Sequence, residues 1–424
     1  MNTRNRQKPA QRNEGVALIL TLLFVVLLTV LVVEFAYEAQ VEASYSLNSG
    51  NDFQARLAAR SAVYKGISIL ETDRLQAELA QDGQTSPADS RLSAWALPGE
   101  FEPLNDAVMR TTITDEFGKI NLNALLDYST GTKVVRAHLR EALVQLFTIR
   151  GTSAGIDVEP DVLVSSVIDW LDEDDEVDES GAESDFYLGA ENPYPCKNGP
   201  MDSLDELLLV RGMSADLYFG PRGLDPPMLP LSEFLTVHGD WLGRINPNTV
   251  YIDYESGESD VLEAYSLGCI DAGLVTELDF EQMVDDMLSV EDEFGAFQSL
   301  EDLRAGGYVV HIDLSEFAQT DGRRTNRNRG DNNNPNNPNT DTSQAEVEVM
   351  RQLFTVHSHA FRIHGDALLD EIMVRNEAYV FRVPQDPETL DWPNGSVTLP
   401  DHPIYSGLEL PEEFYRILEW KVIQ

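Results

Sequence analysis

Residues 12–35 read RNEGVALILTLLFVVLLTVLVVEF, and this stretch determines how the rest of the chain is placed. Residues 16–33 include no charged residue, no Gly and no Pro, and their only polar side chains are those of Thr21 and Thr29. As an α-helix this run is about 27 Å long at ~1.5 Å per residue, close to the roughly 30 Å hydrocarbon core of a bilayer. The sequence therefore predicts a transmembrane helix over residues 16–36.

The charges that flank the run predict its orientation. Arg4, Arg6, Lys8 and Arg12 precede it, and basic residues favour the cytoplasmic side of a membrane. Everything after Glu34 is then expected outside the cytoplasm, as a single-pass protein whose bulk is periplasmic.

Three interpretations of the run compete. A cleaved secretory signal is expected to be shorter and to end in small residues, whereas this run ends at Val33, Glu34 and Phe35. A plain membrane anchor needs only the apolar length. The third interpretation depends on Gly15, which stands directly before the run.

The Gly15–Val16 junction resembles the type III signal of type IV pilins and pseudopilins. This resemblance implies that prepilin peptidase removes residues 1–15 and leaves Val16 as a methylated amino terminus. Most such proteins have a Glu at the fifth mature position, which here is Leu20. The K class of type II secretion pseudopilins typically lacks that Glu and is expected at the pilus tip. The alternative is that Leu20 is one more lipid-facing residue.

Composition limits the partners of the chain. The 424 residues suffice for two or three domains, and their formal net charge of −43 disfavours nucleic acid and favours cationic partners or divalent metal ions. Cys196 and Cys269 would lie in an oxidising compartment, where one disulfide and a pair of unlinked thiols are both compatible with the sequence. No nucleophile–base set, phosphate-binding Gly loop or CxxC motif is present, so no enzyme is expected.

Hydrophobic periodicity predicts the remaining elements. Helical spacing continues from the membrane run to about Glu71, and residues 72–107 predict a loop with short extended pieces. A strand is predicted over residues 107–114. Further helices are predicted over residues 134–149, 158–171, 203–210, 230–236, 258–266, 271–288 and 299–305. Alternation predicts later strands over residues 345–351, 353–363, 369–382 and 415–422.

Two parts of the helical region repeat each other. NLNAL at residues 121–125 returns as NPNTV at 246–250, and SLDELLLVRG at 203–212 returns as SLEDLRAGG at 299–307. The repeat predicts two units, each with an apolar helix, a Gly turn and another helix. Helix-hairpin-helix units bind DNA in some proteins, but the acidic surroundings here argue against nucleic acid.

The phrase DEFGKINLN at residues 115–123 predicts a turn. Asn121 and Asn123 are expected to form Asx-type turns and to cap the helix that follows. The phrase also resembles the Gly, basic, Ile, Asn, x, Asn turn of the K class, where the strand layer leads into an inserted helical domain. Gly118, Asn121 and Asn123 are therefore assigned as structural turn residues.

The candidate chemistry lies in IDWLDEDDEVDESGAESDFY, residues 168–187. Carboxylates at short spacing suit Ca²⁺, which takes six to eight oxygen ligands. The spacing from Asp172 imitates an EF-hand loop, but Val177 stands where an EF-hand needs Gly, so no EF-hand is predicted. A solvated acidic loop is the alternative.

This segment also resembles the K class, in which Asp-x-Asp follows an Ile-Asp-Trp helix and precedes a Gly-x-Glu and a Pro-Tyr-x-x-x-Asn segment. The resemblance implies bound calcium in the helical insert. The candidate metal ligands are Asp172, Asp174, Asp175, Glu183 and Asp185.

Together these observations predict an α+β fold. It combines a long N-terminal transmembrane and spine helix, a pilin-like antiparallel sheet, and a large inserted all-α domain of two helix-hairpin-helix-like units. The predicted units are a cleaved leader (1–15), the transmembrane helix (16–36), the spine helix and first strands (37–114), the insert (115–310), a disordered Asn-rich loop (320–343) and the returning sheet (344–424).

The K-class resemblance implies a function. It implies a minor pseudopilin of the bacterial inner membrane that initiates or caps the pseudopilus together with I- and J-class partners and supports protein export. A minor pilin of a type IV pilus system is the first alternative, and an anchored DNA-binding module is a more distant one.

Overall fold

The computed structural model describes residues 14–80, 88–128, 131–253, 255–288, 297–312, 349–382 and 415–423. Its helices are α1 (Glu14–Ala80), α2 (Ala137–Ala154), α3 (Pro160–Leu171), α4 (Ser184–Leu188), α5 (Ala215–Phe219), α6 (Asp260–Asp271), α7 (Phe280–Leu288) and α8 (Leu300–Gly306). Short 3-10 helices lie at Ala94–Ala96, Leu122–Ala124, Leu204–Leu209, Leu231–Glu233 and Pro247–Thr249.

The strands follow the same chain order. They are β1 (Glu102–Leu104), β2 (Ala107–Asp115), β3 (Ile120–Asn121), β4 (Leu126–Asp127), β5 (Val134–Val135), β6 (Leu235–Thr236), β7 (Val275–Leu278), β8 (Val309–Ile312), β9 (Ala360–Leu369), β10 (Ile372–Arg382) and β11 (Tyr415–Ile423). The leader up to residue 13 and the Asn-rich segment 320–343 lie outside the described residues.

Helix α1 has two parts with different surroundings. Its first part is exposed and apolar, with a mean hydropathy of 3.3 over its most apolar 18-residue window, and is long enough to cross a membrane. Its second part buries small residues such as Ala59 and Ala62 against the sheet. The helix and strand β9 approach each other closely at Gly365, where a Cβ would lie only 2.2 Å from the Ala59 carbonyl oxygen. The predicted long helix is thus confirmed, and it extends to Ala80.

The main sheet is antiparallel, with strand order β1-β2-β9-β10-β11. Ile113 of β2 lies opposite Ile363 of β9, which lies opposite Ala378 of β10, and all three are buried beneath α1. Strands β2 and β9 are neighbours in the sheet but lie far apart in sequence. The residues between them therefore form an insert between two adjacent strands. The α+β fold class predicted from the sequence is confirmed.

The insert has its own apolar core. Helices α2 and α6 pack together closely, since a Cβ at Gly268 would lie 2.4 Å from the Ala142 amide nitrogen. Helix α2 ends at Gly155, whose φ of 65° is in the left-handed region that favours glycine. Phe147, Tyr265 and Phe354 are among the largest fully buried side chains of this core.

Several predicted elements were wrong. The helix predicted over residues 271–288 is interrupted by β7, because Gly273 takes a φ of 74° and the β-branched residues after it pair with β8. The strand predicted over 345–351 is helical at residues 349–353. The next predicted strand starts only at Ala360, since Leu353 and Phe354 bridge to Ile245 inside the insert.

The two sequence repeats differ after their Gly turns. Ser203 and Ser299 each form a capping box, which fixes the start of the following helical segment. After Gly212 the chain enters α5, as expected, but after Gly307 it enters β8 rather than another helix. The second unit therefore keeps the first helix of the predicted pair and replaces the second with a strand.

A buried acid lies where the insert leaves the sheet. Asp115 Oδ1 accepts a hydrogen bond from the Phe117 amide, and Oδ2 accepts from Thr249 Oγ1 at 2.6 Å and Ser358 Oγ at 2.5 Å. Burial raises the pKa of Asp115 to about 7, although these hydrogen bonds act in the opposite direction. The folded protein therefore holds a proton here over a pH range in which the unfolded chain has lost it.

We expect this carboxyl to make stability fall as pH rises from about 4 to about 7, by up to roughly 1.4 kcal/mol per pH unit, because only the folded state binds the proton there. Asp115→Asn should remove that contribution. Thermal melts of the full-length protein in detergent between pH 4 and 8 measure it. The exposed Asp106→Asn variant is the control, and an unchanged pH slope in Asp115→Asn would contradict the assignment.

Candidate metal centre

The candidate site lies where α3 ends. Pro160 starts α3 at a position where its missing amide proton is not needed, and Asp169 lies in the last turn of the helix. Asp172 follows as the C-cap residue, and the chain then loops out before returning at Glu183, the N-cap of α4. These three carboxylates therefore converge although they are spread over fifteen residues of sequence.

Asp169, Asp172 and Glu183 form the carboxylate trio. One oxygen from each lies within 4.8 Å of the others, and the residues are 0%, 0% and 3% exposed. Asp169 Oδ2, Asp172 Oδ1 and both Glu183 oxygens have no hydrogen-bond partner in the described structure. Buried carboxylate oxygens without partners are costly, so this cluster fits a cation that would occupy the space between them.

The electrostatics of the trio agree with this interpretation. Burial, with the added repulsion of Asp169 and Asp172, raises the pKa of Glu183 to about 7. Burial likewise raises the pKa of Asp169 to about 6. Burial also raises the pKa of Asp172, although the hydrogen bond from Lys133 acts in the opposite direction. Three such acids satisfy each other poorly without a positive charge among them.

Gly181 leaves space for the carboxylates of the trio because it has no side chain. A Cβ at this position would lie 2.1 Å from Asp169 Oδ2 and 2.8 Å from the Ser165 carbonyl oxygen. Arg211 holds the same turn by donating from Nη1 to the carbonyl oxygens of Ser180 and Gly181, at 3.2 and 2.9 Å. The backbone thus approaches the carboxylates closely because residue 181 has no side chain.

Gly181→Ala is expected to displace the Asp169 carboxylate and so to weaken the binding of any cation that the trio holds, since the loop has to shift to accommodate the methyl group. Calcium titration of the full-length protein in detergent, followed by the rise in melting temperature, measures the change. Gly155→Ala is not a suitable control because of its positive φ, whereas Gly50→Ala is, because a Cβ there meets nothing within 4 Å. Equal calcium responses of Gly181→Ala and Gly50→Ala would contradict the prediction.

Part of the chain matches a known protein family. Residues 118–220, which include the whole trio, match the family model described as type II secretion system (T2SS), protein K. The chain carries a type II secretion system protein K domain. The K-class resemblance that the sequence motifs indicate is therefore confirmed.

Curated relatives support the same family. The chain is 26% identical over 208 residues to the type II secretion system protein K of Klebsiella pneumoniae, covering 49% of this chain and 60% of that protein. It is 28% identical over 223 residues to the protein of the same name from Aeromonas hydrophila, covering 49% of this chain and 61% of that protein. The match thus spans about 60% of the length of these relatives.

A solved structure shows the same fold. It is the crystal structure of the GspK-GspI-GspJ complex from the enterotoxigenic Escherichia coli type 2 secretion system. One of its chains resembles this one with a TM-score of 0.50 and 16% identity, over 88% of this chain and 99% of that chain. At this identity the likeness concerns the fold alone.

The structure divides the predicted ligands of the K domain into two groups. Asp172 and Glu183 belong to the trio, whereas Asp174, Asp175 and Asp185 are exposed and lie outside it. Asp174 Oδ1 accepts from the Glu176 amide, and Asp175 Oδ1 accepts from Asn198 Nδ2 at 3.1 Å. The carboxylates of Asp174 and Asp175 therefore organise the loop.

Asp169 was missed by the sequence analysis. It stands inside the apolar end of α3, where Ile168 and Trp170 make the segment read as a packed helix. The available signal was its spacing, because residues three apart on a helix lie on one face and Asp169 precedes Asp172 by three. Asn198 adds a further unpartnered buried oxygen, Oδ1, while its Nδ2 donates to the Asp174 carbonyl oxygen at 2.9 Å.

The predicted turn residues hold the chain that follows α4. Asn121 accepts from the Asn123 amide at 3.1 Å. Asn123 accepts from the Met201 amide at 2.8 Å and donates to the carbonyl oxygens of Met201 and Val237. Gly118 is required because a Cβ there would lie 2.6 Å from the Thr249 carbonyl oxygen. The turn therefore fixes the chain just after Asn198.

The second sequence repeat makes the same hydrogen bonds. Asn246 accepts from the Asn248 amide at 3.1 Å. Asn248 accepts from the Phe297 amide at 2.8 Å and donates to its carbonyl oxygen at 2.9 Å. Met201 and Phe297 each lie two residues before a capping-box serine, so the repeated NxN phrase holds equivalent points of the two units.

The remaining predicted positions are placed as follows. Glu14 and Gly15 begin α1, and Val16 is 59% exposed at the start of its apolar part. Cys196 and Cys269 are both buried free thiols, which resolves the choice that the sequence left open. Cys269 lies in the core of the insert, and Cys196 Sγ lies 3.5 Å from the Asp169 carbonyl oxygen.

Proposed function

We propose that this protein is a minor pseudopilin of the type II secretion system that assembles with I- and J-class partners and supports protein export. The observation that carries the proposal is a protein K domain set between β2 and β9 of a sheet that packs on one long helix with an apolar first part. The proposal is for a structural component and includes no catalytic step.

The first part of α1 supports a membrane anchor with its amino terminus in the cytoplasm and the bulk of the chain in the periplasm. Leu20 supports a position at the pilus tip, because a subunit with nothing stacked above it does not need a carboxylate to pair with a neighbouring amine. A bare carboxylate in hydrocarbon is expensive. The exposed side chain of Leu20 on α1 is compatible with lipid contact.

Partner binding tests the function. The full-length protein in detergent should co-elute with the I- and J-class pseudopilins of the same system as one ternary complex in size-exclusion chromatography. Failure to bind either partner, together with binding to a type IV major pilin, would favour the alternative of a type IV minor pilin. Gold labelling of assembled fibres should place this chain at one end, and labels distributed along the shaft would contradict the tip assignment.

Processing by prepilin peptidase gives a separate prediction. Mass spectrometry of the protein from cells should find a methylated amino terminus at Val16. Gly15→Val should abolish cleavage, because the peptidase has to accommodate the residue before the cut, and the protein should retain residues 1–15. Gly50→Val on the same helix is the matched control and should be processed normally, since the space around Gly50 is open. Cleaved Gly15→Val protein would exclude this site.

We also propose that the K domain binds calcium through the carboxylate trio. The supporting observations are four unpartnered buried oxygens and a donor set made entirely of oxygen, which suits a hard cation. When bound, the ion would neutralise the trio and join the end of α3 to the start of α4. Melting of the full-length protein in calcium and in chelator tests this proposal, and identical melting curves would remove it.

A further inference from the structure

One cation of the protein contacts the trio from outside. Lys133 Nζ lies 2.7 Å from Asp172 Oδ2 and 3.7 Å from Asp174 Oδ2. The lysine directly precedes β5, which pairs with β4, so it comes from a hairpin distant in sequence from α3. Its side chain is 29% exposed, whereas Asp172 is fully buried. The contact therefore brings a positive charge from the rim to a buried carboxylate.

The two carboxylate oxygens of Asp172 have different surroundings. Its Oδ2 accepts from Lys133, while its Oδ1 has no partner and belongs to the trio. Lys133 thus leaves free the oxygen that a metal ion would use. It adds one positive charge to a cluster of three carboxylates and leaves the cluster with a formal charge of about −2, assuming each is ionised.

The other basic side chains around the loop make different contacts. Lys197 Nζ lies 2.6 Å from Asp202 and 2.7 Å from Glu206. Arg140 pairs with Glu141 and lies 3.4 Å from Asp161 and from Glu179. Arg211 donates to carbonyl oxygens of the loop rather than to the trio. Among the ion pairs of the described residues, Lys133 is therefore the cation that pairs with a carboxylate of the trio.

We propose that Lys133 is a tethered counter-cation of the trio, which stabilises the loop before a divalent ion binds and lowers the affinity for that ion. The inference rests on the calcium site proposed above. A lysine and a calcium ion on opposite oxygens of one carboxylate repel each other, and this repulsion acts only in the bound state. The attraction between Lys133 and the acids contributes most in the metal-free state, where no other cation of the described residues pairs with the trio.

The two effects of Lys133 distinguish a counter-cation from a residue that only orients Asp172. Without its charge, the metal-free protein should be less stable, while calcium should bind more tightly. A residue that only orients Asp172 would give weaker calcium binding in the variant, because the ligand would lose its position. The sign of the affinity change therefore decides between the two roles.

The test uses the full-length protein in detergent and calcium chloride as the probe. Lys133→Met should bind calcium about three- to tenfold more tightly than the wild type in isothermal titration. In chelator the melting temperature of Lys133→Met should lie at least about 2 °C below that of the wild type. Lys133→Arg keeps the charge and should match the wild type in both measurements. Lys197→Met removes a lysine from the same acidic region without touching the trio and should keep the wild-type affinity.

Each outcome has one meaning. Equal or weaker calcium binding by Lys133→Met, with wild-type binding intact, overturns the counter-cation and leaves the calcium site standing. No calcium binding by the wild type overturns the calcium site and the inference with it. If Lys133→Met does not melt cooperatively, Lys133→Gln provides the same comparison.

Discussion

With calcium bound at the proposed site, Glu183→Gln should remove nearly all of the stabilisation that the ion contributes. Glu183 is 3% exposed and neither of its carboxylate oxygens has a partner, so it offers the largest unpaired ligand capacity of the trio. Calcium at about 100 times its Kd contributes about 2.7 kcal/mol to stability, whereas a site weakened a hundredfold contributes about 0.4 kcal/mol at the same concentration. A carboxamide keeps the size of the side chain and loses the charge that holds the ion.

The measurement compares melting temperatures in millimolar calcium and in chelator for the full-length protein in detergent. The metal-free variant should melt at or above the metal-free wild type, because the substitution removes one of three buried like charges. Glu191→Gln, an exposed carboxylate eight residues further on, is the matched control and should keep the full calcium response. A full response in Glu183→Gln would exclude the trio as the calcium site.

Asp185→Asn separates the site seen in the structure from the ligand set predicted by sequence. Asp185 is exposed in the first turn of α4, outside the trio, so the variant should retain most of the calcium response. Asp169→Asn should lose it, although the sequence analysis did not name this residue. The reverse result would favour the sequence-based ligand set.

The sequence could predict where the site lies more readily than which side chains form it. Charge density and the K-class motifs identified Asp172 and Glu183, because both features are local in sequence. They also included Asp174, whose carboxylate is exposed, since the direction of a loop side chain depends on the backbone around it. Asp169 was not among the predicted candidates, because a single acid in an apolar helix end becomes a candidate ligand only once the fold brings other carboxylates to it.

The fold shows the same limit. The apolar length of α1 and the alternation of β10 are properties of single segments, and both were predicted correctly. Alternation at residues 353–359 predicted a strand but arises from contacts with the insert, such as the bridge between Phe354 and Ile245. A period of two indicates alternating burial and does not reveal whether a neighbouring strand is present.

Arg362→Met should cause the largest loss of stability of any single substitution considered for this protein. Arg362 projects from β9 and is 4% exposed. Its Nη2 donates to Glu233 Oε1 at 2.8 Å, and its Nε lies 3.5 Å from Glu116 Oε1, which also receives Lys119 at 2.5 Å. This group of four charges lies between the sheet and the insert.

The expected cost is about 3–5 kcal/mol, because removing one member of a buried ionic network leaves Glu233 without its hydrogen-bonded cation and Glu116 with Lys119 alone. Although burial alone would lower it, the charges of Glu116 and Glu233 hold the pKa of Arg362 above its usual range. Burial lowers the pKa of Lys119, and Arg362 lowers it further. Arg362 is thus the positive charge on which Glu233 depends most, and it is the second cation beside Glu116.

Thermal and denaturant unfolding of the full-length protein in detergent measure the loss, with Arg304→Met as the matched control. Arg304 pairs with Glu301 on the surface of α8, and exposed pairs of this kind contribute about 0–1 kcal/mol. Adding Glu233→Gln to Arg362→Met should recover part of the stability, because one of the orphaned charges is then removed. If Arg362→Met cost no more than Arg304→Met, the buried network would not be what joins the sheet to the insert. The insert would then be held by its other contacts with the sheet, among them the hydrogen bond from Thr249 Oγ1 to Asp115 Oδ2.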